Sequence, residues 1–121
     1  MYAKILLIGA LLGSAGSAWA HEAKGSHGGR IADAGPYHLE MVVKSETVDV
    51  FISDESEKPV AASGFKGMAI LVASGKSHRV VLAPVDGKHL SGSATVALPK
   101  QPKGVVQVTG PDGKTSQAKF D

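Results

Sequence analysis

The stretch YHLEMVV, residues 37 to 43, carries the clearest structural signal in the chain. Its large apolar side chains recur at every second position and are Tyr37, Leu39, Met41 and Val43. His38 and Glu40 fall between them, so polar and apolar side chains point to opposite faces of an extended segment. This alternation predicts a β-strand with one buried face and with His38 and Glu40 together on the other face.

The same alternation returns along the chain between turn signals such as Asp86-Gly87 and Asp112-Gly113. Short strands spaced about 8 to 12 residues apart are typical of a sandwich or a small barrel. We therefore predict an all-β fold, namely a single small β-sandwich of immunoglobulin-like type with about seven strands. The side chains predicted to be buried are Leu39, Met41, Val50, Ile52, Ile70, Val80, Leu82 and Val96.

Two further segments need an assignment. VAASGFKGMAILVAS, residues 60 to 74, contains alanines that favour helix, but its two interior glycines disfavour one. We assign this segment to a loop followed by a strand, with Met68, Ile70 and Val72 on the buried face. The apolar residues at 94, 96 and 98 predict another strand before the proline-containing loop.

The first 20 residues have the features of an export signal. Lys4 gives a basic start, residues 5 to 12 are apolar, and Ala18-Trp19-Ala20 has the small-residue pattern of a cleavage site. The alternative is an uncleaved anchor, but the apolar run is shorter than the ~20 residues that span a bilayer. We expect cleavage after Ala20, which leaves His21 at the new N-terminus and a periplasmic protein that is not held in the membrane.

The remaining chain divides into an arm and a domain. Residues 21–30 are polar and glycine-rich, which predicts a flexible arm, and residues 31–121 form the predicted sandwich. The chain has no cysteine, so an exported domain of this size must be stabilised by its core or by a bound ligand. The net charge of +2, without a basic stripe or an aromatic platform, argues against nucleic-acid binding.

The chain concentrates potential metal ligands close behind the predicted cleavage point. His27, His38 and Glu40 offer two imidazoles and a carboxylate, which are ligands for a borderline divalent ion such as copper or zinc. His21 would add an α-amino and a ring nitrogen in one chelate, a donor set that favours Cu(II). The alternatives are a solvated loop histidine at 27, an ordinary polar strand face at 38 and 40, and an incidental residue at 21.

The other candidate residues have simpler interpretations. His78 shares a face with Val80 and Leu82 and is interpreted as an edge or core histidine, whereas His89 follows Asp86-Gly87 and is interpreted as a turn residue. No nucleophile motif and no phosphate-binding glycine loop are present, so we do not expect an enzyme. A copper enzyme that uses an N-terminal chelate is the weaker alternative.

The order HGG at 27–29 followed by GPYHLE at 35–40 resembles the N-terminal module of periplasmic adaptor proteins of heavy-metal efflux pumps, and small periplasmic proteins of similar pattern. That family is associated with resistance to copper, silver, zinc, cobalt or cadmium. The resemblance covers residues 27 to 43 and implies that His27, His38 and Glu40 bind metal. The chain lacks the coiled-coil and lipoyl-like regions of a full adaptor, so it is similar to the metal-sensing end alone.

These observations support two hypotheses. The first is a periplasmic metal-binding protein that buffers or delivers copper or a similar divalent heavy metal, with the metal ion and a periplasmic efflux component as its partners. The second is a non-catalytic structural or interaction module in which the histidines are incidental.

Overall fold

The computed structural model describes residues 23–121, and over this range the chain forms nine strands. The all-β prediction is therefore confirmed. The predicted signal segment, residues 1–20, and His21 lie outside the described residues. The strands are β1 (Ala23–Lys24), β2 (Arg30–Ala34), β3 (Tyr37–Lys44), β4 (Thr47–Ser53), β5 (Lys66–Ala73), β6 (Lys76–Val85), β7 (His89–Ser93), β8 (Gly104–Thr109) and β9 (Thr115–Phe120).

The strands form one nearly closed, barrel-like sheet in the order β1-β2-β3-β4-β7-β6-β5-β8-β9. All neighbouring strands are antiparallel. Strand β6 is the longest and joins the two halves, because its first part pairs with β5 and its last residues pair with β7. The arrangement thus differs from a sandwich of two separate sheets, since one continuous ladder curves round the core.

The two edges of the sheet meet where β2 lies beside β9. The Arg30 guanidinium donates to the main-chain oxygen of Asp121 at 3.1 Å and also to the oxygen of Pro102. Its carbon lies 5.4 Å from the ring centroid of Phe120. A side chain therefore joins the first and last long strands at this end of the sheet.

The inner face of the sheet holds the apolar core. Six of the eight side chains predicted to be buried are confirmed as buried, and these are Leu39, Met41, Val50, Ile52, Val80 and Leu82. Ile70 and Val96 are not in the core. The core also takes in large side chains of the C-terminal half, including Leu71, Leu90, Val106, Val108 and Phe120.

The inner face of β5 was assigned wrongly from the sequence. Ala69, Leu71 and Ala73 point inward, which places Met68, Ile70 and Val72 on the outer face. The segment MAILVA is apolar at every position, so period-2 alternation cannot identify its buried face. Burial identifies it in the structure, because Ala69, Leu71 and Ala73 are at most 5% exposed.

The predicted strand over residues 94–98 is also absent from the described structure, where this segment is a loop after β7. Ala94 and Leu98 are buried and donate main-chain hydrogen bonds to Glu46 and Ser45 in the turn between β3 and β4. The segment therefore covers a turn, and Val96 is 38% exposed between the two anchored residues.

The predicted turns at 86–87 and 112–113 are confirmed, and a two-residue turn also joins β5 to β6. Ser74 and Gly75 both have positive φ angles, of 53° and 74°, as a two-residue hairpin turn between right-twisted strands requires. Gly113 has a φ of 84° in the turn between β8 and β9. Within residues 23–121 no helix is long and apolar enough to cross a membrane.

The described part of the predicted arm forms a short hairpin. Ala23 and Lys24 pair with Ile31 and Arg30, and the main-chain N–H of Gly25 donates to the oxygen of Gly29 at 2.8 Å. The hairpin lies on the outer face of β3, where it contributes to the site described next.

Candidate functional site

A groove of about 1010 Å³ lies on the outer face of β2, β3 and β4. Its walls are the β1–β2 hairpin at 24–27, the loop at 57–61, and the turn at 87–88 before β7. Three histidines line it, namely His27, His38 and His89. The sheet register explains why outer-face side chains converge here, because Glu40 pairs with both Ile31 and Phe51 while His38 pairs with Asp33 and Ser53.

Glu40 is a buried carboxylate that organises the hairpin above it. Its Oε2 accepts hydrogen bonds from the main-chain N–H groups of His27 and Gly29, each at 2.8 Å. Its Oε1 lies 2.8 Å from Nδ1 of the His27 ring. The side chain is only 7% exposed, and these contacts offset the cost of burying its charge.

Two glycines make this burial possible. A Cβ on Gly25 would lie 2.1 Å from Cδ of Glu40, and a Cβ on Gly29 would lie 2.2 Å from the oxygen of Met41. Only a chain without side chains at both positions can approach the strand this closely. The glycines of residues 21–30 predicted a flexible arm. In the described part of that segment they instead allow the hairpin to lie close against β3.

His27, Phe51 and His89 form a stack of three rings. The His27 and Phe51 centroids are 3.7 Å apart with planes 7° apart, and the Phe51 and His89 centroids are 4.7 Å apart with planes 24° apart. Two nearly parallel rings this close to Phe51 would clash on one side of it, so the imidazoles occupy opposite faces. Phe51 thus separates His27 from His89.

Each groove histidine is also near a carboxylate. His38 Nδ1 lies 2.7 Å from Oδ1 of Asp33. His89 Nε2 lies 3.5 Å from Oδ1 of Asp49, a longer ion-pair distance. In a neutral imidazole, a ring nitrogen that donates to a carboxylate carries the proton, and the other nitrogen keeps its lone pair. The neutral rings of His27 and His38 therefore leave the Nε2 lone pair available to bind a metal ion or to accept a hydrogen bond.

The structure brings His27 and Glu40 into direct contact and places His38 in the same groove. Glu40 uses its oxygens to hold the hairpin and the His27 ring. No set of three or more His, Cys, Asp or Glu side chains within residues 23–121 is grouped closely enough to hold a metal ion. His21 lies outside the described range.

Similarity to known proteins was tested at three levels. Neither a protein family, nor a curated protein, nor a solved structure matches the chain. The groove itself combines two oriented imidazoles with an aromatic ring and several charged groups.

Sequence reasoning missed Asp33, Phe51 and His89 as residues of the site. His89 was interpreted as a turn residue, but it is the first residue of β7 and faces the groove. A usable signal was present, because His89 precedes the inward-facing Leu90 and so belongs to the outer face. Phe51 alternates in the same way with Val50 and Ile52.

Proposed function

We propose that this protein is an exported, periplasmic metal-binding protein that buffers or delivers copper or a similar divalent ion such as zinc. In this proposal His27 and His38 supply imidazole ligands in the groove, and a periplasmic component of metal efflux or resistance exchanges the ion with it. The observation that carries the proposal is that both imidazoles line one groove, each with Nδ1 held by a carboxylate.

This arrangement supports metal binding for a physical reason. Histidines that bind metals commonly donate their second ring nitrogen to a carboxylate, which fixes the tautomer and raises the basicity of the ligating nitrogen. His27 has this partner in Glu40, and His38 has it in Asp33. Glu40 then acts by positioning His27 rather than by contacting the ion.

His21 is a further ligand in this proposal. If export removes residues 1–20, its α-amino group and ring become a chelate three residues before Lys24, which lines the groove. Three residues span at most about 11 Å, so the chelate would be within reach of the groove. Mass spectrometry of periplasmic material tests the cleavage, and a mature chain that begins elsewhere would remove His21 while leaving the other two histidines.

The proposal is tested by isothermal titration of the mature protein with Cu(II) and Zn(II). We expect His27→Gln and His38→Gln each to weaken the affinity for the preferred ion by about tenfold or more. Mutation of residues that only support metal ligands already costs about 10- to 100-fold in affinity. His78→Gln is the matched control, because His78 does not line the groove. Affinity should also fall on acidification, since protons compete for the imidazole lone pairs.

Two results would contradict the proposal. One is the absence of binding heat for either ion, which would favour the interaction module. The other is an equal affinity in wild type, His27→Gln and His38→Gln, which would place any bound metal elsewhere.

A further inference from the structure

The groove has much more room than a metal ion needs. Its volume of about 1010 Å³ compares with roughly 30 Å³ for a water molecule, and it falls near the upper end of the ~300–1,000 Å³ typical of pockets for organic ligands. Two imidazole nitrogens also fill only part of a shell, because a borderline divalent ion takes about four ligands or more. Both features indicate that other donor atoms accompany the ion.

The charges of the groove indicate the chemistry of those donors. Lys24 and Lys88 both line it and are exposed, and neither forms an ion pair with any residue in the described range. The carboxylates of Asp33 and Glu40 already contact imidazoles, and Glu57 lies on the loop at 57–61. Two ammonium groups are therefore available to an incoming carboxylate.

We infer that the groove binds its metal as a complex with a small aminocarboxylate chelate, of the kind that amino acids form. This inference rests on the proposed function. The imidazoles of His27 and His38 occupy the positions that the chelate leaves open on the ion, and Lys24 and Lys88 pair with the outer oxygens of its carboxylates. A chelate that binds the ion through the same number of atoms but has no carboxylates cannot pair with the two lysines.

The test compares two tridentate chelates of Cu(II) by equilibrium dialysis against the whole mature protein. Iminodiacetate carries two carboxylates, and diethylenetriamine carries only amines. We expect wild type to retain Cu(II)-iminodiacetate as a complex of protein, metal and chelate in equal amounts, about five- to tenfold more tightly than Cu(II)-diethylenetriamine. Without copper, iminodiacetate alone should not be retained.

Variants of the lysines separate this inference from metal binding itself. Lys24→Gln and Lys88→Gln should each reduce the preference for iminodiacetate by about two- to fivefold, the range for exposed ion pairs, and neither should weaken the affinity for Cu(II) alone, because each removes a positive charge from the groove. Lys76→Gln, at the first residue of β6 and away from the groove, is the matched control. Circular dichroism of each variant checks that it is folded.

Three results would overturn the inference. These are equal retention of both chelates, a preference that survives in the double lysine variant, and release of the chelate when the protein takes up copper. In each case the titration with the bare ion could still succeed, so the proposed metal-binding function would stand. Failure of the bare-ion titration would remove both.

Discussion

The His27 imidazole lies flat on the Phe51 ring, with centroids 3.7 Å apart, and its Nδ1 is held by Glu40 at 2.8 Å. The ring is thus fixed on one face and at one edge, although its side chain is 47% exposed. Because its rotamer is already selected, a ligand that binds Nε2 avoids most of the entropy cost of ordering it. The groove therefore presents a preorganised donor at an accessible position.

Replacement of Phe51 by Leu should release both stacked imidazoles while keeping an apolar side chain at that position. The ring protons of His27 and His89 lie over the aromatic face, so we expect their resonances to move downfield when the ring is removed. Proton–carbon correlation spectra of the imidazoles measure this change. His78 serves as the internal reference, and unchanged His27 and His89 resonances would contradict the stack.

Glu40→Gln should destabilise the protein by about 2 to 3 kcal/mol. The amide oxygen of Gln carries no net charge and so accepts the N–H groups of His27 and Gly29 more weakly than Oε2 of Glu40, and the amide NH2 cannot accept from His27 Nδ1. Hydrogen bonds to a charged group contribute ~1.5–3 kcal/mol. Urea denaturation measures the loss. Glu46→Gln, at an exposed turn position, is the control, and an equal effect of the two changes would show that Glu40 is not a buried acceptor.

Val50→Ala should reduce the free energy of unfolding by about 1 to 3 kcal/mol, because Val50 is fully buried and its loss leaves a cavity. Val81→Ala makes the same chemical change where the side chain is 71% exposed, and it should stay within about 0.5 kcal/mol of wild type. Denaturation midpoints compare the two. Similar losses at both positions would contradict the assignment of inner and outer faces.

Two alanine substitutions in β5, one on each face, test which face of this strand is buried. Leu71→Ala should cost about 2 to 5 kcal/mol as a core truncation, whereas Ile70→Ala, on the partly covered outer face, should cost about 1 kcal/mol. The same denaturation assay applies. A larger loss at Ile70 would restore the face that the sequence predicted.

Strands with a strong contrast between their two faces were predictable from the sequence. In β3 and β4 the buried side chains of Leu39, Met41, Val50 and Ile52 recur at every second position, and the polar side chains of His38, Glu40 and Asp49 fall between them, so both the strands and their buried faces could be predicted. The contrast disappears in MAILVA, so the pairing of β5 with β6 and β8 had to decide the face. The closure of the sheet depends on contacts such as that of Arg30 with Asp121, which no local pattern records.

The proximity of some groove residues to each other was predictable where these residues are close in sequence. His27, His38 and Glu40 were identified from a short segment, and the structure brings two of them into contact. The role of Glu40 was not predictable, because its burial depends on the close approach of Gly25 and Gly29. His89 enters the groove through the pairing of β4 with β7, which connects residues some forty positions apart.

The contact between Arg30 and Asp121 also has a kinetic consequence. The two residues are 91 positions apart, and a link of such length must close a long loop before it contributes any stability. During synthesis β2 therefore stays without this partner until Asp121 has emerged. We expect the contact between β2 and β9 to form late in folding. Mutations of Arg30 should therefore accelerate unfolding more than they slow folding.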